Sequence, residues 1–399
     1  ARFSTGGSTH ANQAIIFALG KPGDKVAVSR TAHRSVLSAL VLAGLEPIWM
    51  SPEIDAATGV PTGIGIAELD RALKEKPIAV LLTEPGYLGT ISDLPILISA
   101  AHAVDVPVIL DAAWGGHFGF HPQLPRHAFQ VGADALITST HKALPGYSAS
   151  ALLLARTTLL SAERLEQSFE TTHTTSPAGA PLASIDGVRA LLETRGEELI
   201  GKLLSNIHRF KEMVQAEFPL PIFLYPSDFP EGRFDPSKIV LRVQQLGASG
   251  VDIEEDLQAQ GIRVEMADRD TIVFLGTIAD TKADFDHLAD VLIPILKKRQ
   301  EQRRASATAL SWSVVPQRAT SMREAYFAET EMVSASHAVG RISADLIAPY
   351  PPGVAVVAPG EVLTKQIVEG LSASRVAGVR IAYATDSSLA TYRVVNQTS

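Results

Sequence analysis

Cysteine is absent from all 399 residues, and with it go disulfides, thiolate nucleophiles, iron–sulfur ligation and the commonest structural zinc sites. Long apolar runs are absent too. Ile78 to Leu82 and Val106 to Leu110 are far shorter than the roughly 20 residues that a membrane helix needs. No charged-then-apolar segment opens the chain, so the expectation is a cytoplasmic protein with no membrane partner. Nor is there an excess of basic residues: 35 Lys and Arg stand against 43 Asp and Glu, a formal charge of −8. Binding to nucleic acid by neutralising phosphates is therefore not expected. What remains is a 46% hydrophobic composition, enough for a large core and about two or three domains.

Up to about residue 160, short β-rich runs alternate with helix-period stretches, the pattern of a mostly parallel sheet covered on both faces. The runs are Lys25 to Ser29, Pro47 to Ser51, Ile78 to Thr83, Val106 to Ala112, Ala135 to Ser139 and Ala149 to Leu154. Helical periodicity fits His33 to Ala43, Ile66 to Glu75 and Leu94 to Val104. A long helical region from Pro181 to Glu217, with a break expected near Gly196, leads to the proline-rich Phe218 to Pro226, which reads as a domain joint. Beyond it, Lys238 to Val243, Arg263 to Met266 and Thr271 to Leu275 are expected strands, and Val251 to Gln260 a helix. The fold class is thus α/β: a large domain over 1–218, a small α+β domain over 219–304 and a C-terminal domain over 305–399. The basic run Lys297 to Arg304 reads as a solvated helix end, where cations meet the dipole.

Three features bear chemistry. Lys142, in Ser139-Thr140-His141-Lys142, emerges at a strand end, where open α/β sheets bind ligands. Asp111 ends an apolar strand and is followed by Ala112, Ala113 and Trp114. Gly6-Gly7-Ser8-Thr9 precedes a helix whose free N–H groups suit a phosphate. Each is weak alone. The loop lacks both the Walker lysine and the dinucleotide glycine pattern, and His117 with His121 has metal-like spacing but no third ligand, so no metal is expected. In the order phosphate loop, aspartate, lysine, the three match the layout of fold-type I pyridoxal-phosphate (PLP) enzymes, which need a carboxylate to keep the cofactor pyridinium protonated.

The chain resembles the bacterial-type ornithine/lysine/arginine decarboxylases over nearly its whole length. The likeness rests on Arg30-Thr31-Ala32-His33-Arg34-Ser35, on Asp111 to Phe118, on Gly132-Ala133-Asp134 and on Ser139 to Lys142. Thr174-Thr175-Ser176-Pro177 with Ser184-Ile185-Asp186, and Tyr350-Pro351-Pro352-Gly353 with Pro359-Gly360-Glu361, extend it. The resemblance implies a PLP-dependent decarboxylase of a basic amino acid, with the cofactor on Lys142 as a Schiff base and its pyridine nitrogen on Asp111. It also implies that His33 stacks on the ring, Ala113 packs on the other face, and Ser8, Thr9, Ser139 and His141 hold the phosphate. Trp114 and Glu361 are implied as substrate contacts, and Thr175 and Ser176 as phosphate contacts to a neighbouring subunit in a homodimer or assembly of dimers.

Members of that family carry several dozen residues ahead of the phosphate loop, whereas Gly6 lies five residues after Ala1. A chain beginning at Ala1 is accordingly expected to be less active or less tightly associated than one carrying that segment. Ala112 stands where glutamate is frequent, and Ala143-Leu144-Pro145-Gly146-Tyr147 departs from the usual run after the lysine. A transaminase or oxidase of the same fold stays open, with Arg263 as the candidate carboxylate holder, as does a catalytically impaired paralogue.

Overall fold

The computed structural model describes residues 1–304, 314–350 and 353–396. Its centre is a seven-stranded sheet in the order β1-β9-β8-β7-β6-β2-β3. These strands are β1 (Arg2–Ser4), β2 (Lys25–Ser29), β3 (Glu46–Met50), β6 (Val80–Thr83), β7 (Val108–Asp111), β8 (Ala135–Ser139) and β9 (Ala151–Ala155). From β8 through β3 the pairs are parallel, and β9 and β1 close one edge antiparallel. The parallel strands bury nearly every residue, because helices cover both faces and leave no side for polar alternation. On one face α1 (Gly7–Leu19) and α2 (Arg34–Ala43) pack a core of Ile15, Val36, Leu40, Ile109 and Ile137. On the other, α3 (Ile66–Leu73) and α4 (Leu94–His102) pack Leu69, Leu97, Ile98, Leu82 and Leu110.

The helix break expected near Gly196 does not occur. Gly179–Gln215 is one helix of 37 residues, α6. A lone glycine costs a helix only about 1 kcal/mol, and strong helix formers flank it, with Arg189–Glu193 and Lys202–Glu198 pairs one turn apart on either side. The start of α6 packs Val188 and Leu192 against Leu124 and Leu144 of the large domain. Its end packs Ile207, Phe210 and Val214 into the small domain, so a single rigid rod joins both. There β10 (Lys238–Arg242), β11 (Met266–Ala267) and β12 (Thr271–Leu275) form an antiparallel sheet, covered by α7 (Gly250–Ala259) and α8 (Lys282–Arg299). The strand expected from Arg263 starts only at Met266, where pairing with β12 begins.

The sequence pattern also missed β1 and the hairpin of Pro52–Ile54 with Pro61–Ile64, which are too short to show a period. A separate core around Val357, Leu363, Ile367, Leu371 and Tyr392 fills the C-terminal region. Pro351 and Pro352 of the Tyr-Pro-Pro-Gly motif, and Ala305 at the expected start of the third domain, lie outside the described residues.

Candidate active site

The carboxyl ends of β6, β7 and β8 and the first turn of α1 enclose a cavity of about 190 Å³. Gly6 stands at the N-cap of α1 without a side-chain capping bond, so the leading N–H groups are left for a ligand. Gly7 takes φ +66°, a conformation costly for other residues, and brings the turn against Ala149. Beside it the Ser8 and Ser139 hydroxyls lie 2.8 Å apart. Thr9 and His141 also line the cavity, and His141 Nδ1 is tied to the Ser150 carbonyl at 2.7 Å.

At the floor sits Asp111, 2% exposed. Its Oδ2 accepts from Asn12 Nδ2 at 2.9 Å and its Oδ1 from the Ala113 N–H at 3.3 Å. Both partners are neutral donors. Asn12 also donates to Ser35 Oγ at 3.0 Å, and Ser35 Oγ meets His33 Nδ1 at 2.8 Å, so one chain of hydrogen bonds runs from the carboxylate to the imidazole. Desolvation pulls His33 below its ordinary value; Asp111 opposes this, while Lys142 and Arg34 add to it.

Lys142 enters from the loop after β8, its Nζ 4.5 Å from the Trp114 ring centroid. Desolvation lowers its basicity against the pull of Asp111 and Glu265, as an amine that must react in the neutral form requires. Among the described residues, three buried polar atoms of residues that line the cavity lack a hydrogen-bond partner: Asn12 Oδ1, Thr83 Oγ1 and the Tyr87 hydroxyl. An uncapped helix start, a carboxylate without a cationic partner and a reactive amine suit a phosphate, a basic ring nitrogen and an aldehyde, so these residues fit PLP.

Ser8, Thr9, His33, Asp111, Ala113, Trp114, Ser139, His141 and Lys142 thus converge on one cavity. Glu361 does not join them. It is 1% exposed and pairs with Arg30 at 2.6 and 2.9 Å, while Oε2 also accepts from the Ala358 N–H at 2.7 Å. That carboxylate is committed to packing the C-terminal region on the large domain, a correction to its expected substrate contact. Thr175 and Ser176 are exposed in the single chain. Arg263 lines a different cavity, with Phe274 and Phe285, so it does not serve as the carboxylate holder of a transaminase in this arrangement. His117 is buried against Asp235 and Ser237, at 3.2 and 2.9 Å.

In the sequence Asn12, in the segment that follows Gly6 and Gly7, has no role of its own, although it lies one helical turn after Ser8 and so shares its face. Tyr87 and Lys238 had no local signal at all.

Residues 1–223 match the Orn/Lys/Arg decarboxylase major domain, and residues 299–380 match the Orn/Lys/Arg decarboxylase C-terminal domain. The chain belongs to the Orn/Lys/Arg decarboxylase family. It is 33% identical to the arginine decarboxylase of Bacillus subtilis, over 99% of this chain and 82% of that one. With the constitutive lysine decarboxylase of Escherichia coli the identity is 22%, over 91% of this chain and 63% of the other. Among solved structures, the lysine decarboxylase of Francisella novicida superposes with a TM-score of 0.84 at 22% identity, covering 99% of this chain and 69% of that one. The ureidoglycine-glyoxylate aminotransferase of Bacillus subtilis gives 0.60 at 16%, covering 78% and 82%. The fold is that of fold-type I PLP enzymes.

Proposed function

We propose that the chain is a PLP-dependent decarboxylase that converts a basic amino acid to the corresponding amine and carbon dioxide. The observation that carries this is the convergence of Lys142, Asp111 and the uncapped start of α1 on one cavity. Family membership supports it. Arginine is the leading substrate, since identity to an arginine decarboxylase is 33% against 22% for a lysine decarboxylase; lysine and ornithine follow.

Bound PLP would supply an electron sink for the pair left at Cα when the carboxylate departs. Around it the protein's own groups have separable tasks. Ser8, Thr9, Ser139 and His141, with the first N–H groups of α1, would hold the phosphate. Asp111, oriented by Asn12, would keep a proton on the ring nitrogen. His33 would cover one ring face and Ala113 the other. Lys142 would carry the cofactor aldehyde and, once displaced by the substrate amine, hold a proton for return to Cα, with His33 as the alternative donor. Trp114 would form the wall that the substrate passes. We also propose a homodimer as the minimal unit, in which the exposed Thr175 and Ser176 reach the partner's phosphate.

Incubation with PLP and each of arginine, lysine and ornithine, followed by identification of the products, tests the reading. It expects carbon dioxide and the matching diamine or guanidino-amine. A keto acid as the only product would replace decarboxylation by transamination.

A further inference from the structure

Lys238 opens β10 in the small domain, yet its ammonium ends against a wall of the large-domain cavity. It is 0% exposed, and its Nζ has no hydrogen-bond partner among the described residues. Instead it lies 3.3 Å from the centroid of the Trp114 ring, the same ring that Lys142 approaches at 4.5 Å. Its stem is held in place: a Cβ added at Gly89 would fall 2.9 Å from Lys238 Cγ, and the Lys211 ammonium donates to the Lys238 carbonyl at 3.0 Å.

The charged groups that face it are Asp235, Glu265 and Lys142. Asp235 is engaged through Oδ1 by His117 and Ser237, at 3.2 and 2.6 Å, while its buried Oδ2 has no hydrogen-bond partner among the described residues, and Glu265 attracts Lys142 as well. Two amines therefore share one indole and the attraction of Glu265, while Asp111 acts on Lys142 and Asp235 on Lys238. A residue needed only to fill this space would be apolar, because an unpaired buried ammonium is among the costliest groups to keep.

We propose that Lys238 is a positioning residue of the decarboxylase site, which holds the Trp114 indole in the cavity wall and, while charged, lowers the basicity of the nitrogen at Lys142. This rests on the reading of Lys142 as the cofactor-bearing amine. Burial pushes the Lys238 amine down to about 7, against the attraction of Asp235 and Glu265 and with help from Lys142. Its charge is accordingly present below neutrality and lost as pH rises through that value. The grip on the indole is strongest, and the Lys142 nitrogen least basic, on the acid side.

Two measurements test this. In apoprotein, the part of the tryptophan emission that Trp114→Phe removes should titrate near pH 7 in the parent, and the step should vanish in Lys238→Met. With PLP bound, the absorbance midpoint of the cofactor on Lys142 should lie higher in Lys238→Met than in Lys238→Arg by roughly one pH unit, the size expected for one nearby cation, with the parent between them because its own charge is lost near neutrality. Lys238→Arg, charged at every pH, should also abolish the emission step. If Lys238→Met and Lys238→Arg retain the emission step and the absorbance midpoint, differing from the parent only in melting temperature, Lys238 is structural and the proposal fails. The apoprotein arm decides on Lys238 even if the cofactor proves to attach elsewhere.

Discussion

Arg30 and Lys238 are both buried cations lying on an indole, Arg30 over Trp49 at 4.6 Å and Lys238 over Trp114 at 3.3 Å. Around Arg30 the two terminal nitrogens are engaged, by both Glu361 oxygens and by the Val356 carbonyl at 2.9 Å, while its Nε has no hydrogen-bond partner among the described residues. Around Lys238 no described residue accepts a hydrogen bond from its Nζ. The first arrangement is a clamp, in which planar guanidinium and carboxylate fix the C-terminal region to the strand end of β2. The second leaves potential unspent beside a reactive amine, as functional sites do. Arg30 thus holds its charge in a bidentate ion pair with Glu361, whereas Lys238 holds its charge against an indole.

The largest effect should come from the other cation at the cavity. Lys142→Ala is expected to fold with a nearly unchanged melting temperature. It should lose the borohydride-reducible PLP adduct and on the order of 10⁴-fold in turnover, about 5.4 kcal/mol of barrier. Peptide mapping of the reduced parent enzyme checks the position, and the label on any other lysine would refute it. Arg30→Met should reverse the pattern. Stranding Glu361 in the interior is expected to cost about 3–5 kcal/mol of stability, read by denaturant unfolding, while the protein that stays folded still forms its adduct at Lys142. Adding Glu361→Leu should recover much of that loss, since a matched apolar pair replaces a buried ion pair at little cost. Were Arg30→Met to retain its stability and lose the adduct, the clamp and the site would have to be one system.

The two regions also differed in how far sequence could show them. Asp111 and Lys142 lie at the ends of apolar strands, so the period of the chain put them where α/β sheets bind ligands. Ser8 and Thr9 were legible because glycines precede a helix there. Glu361 was legible as a motif residue and misread in role, because its partner Arg30 lies over three hundred residues away and only the fold joins them. Lys238 reaches Trp114 from another domain, and no local pattern distinguishes it from a strand-edge lysine. Gly196 shows the opposite failure: a local rule for breaking helices was outweighed by the helix formers and ion pairs around it.

Asp111 carries the last and smallest expected effect, and it sharpens the comparison because it is a buried anion with neutral partners only. Asn12 and the Ala113 N–H donate to its two oxygens and supply no charge. The carboxylate is therefore free to form its ion pair with a protonated ring nitrogen when the cofactor arrives. Asp111→Asn is nearly isosteric and, with its amide turned so that the oxygen faces Asn12, can keep that hydrogen bond. Stability should change by less than about 1 kcal/mol, the worth of a typical neutral hydrogen bond. Turnover should fall by roughly 10²-fold or more, about 2.7 kcal/mol, because an amide does not stabilise a pyridinium charge. Steady-state kinetics and thermal unfolding on the same preparation separate the two. Activity retained within about tenfold, only ~1.4 kcal/mol, would mean that Asp111 positions the cofactor without governing its protonation.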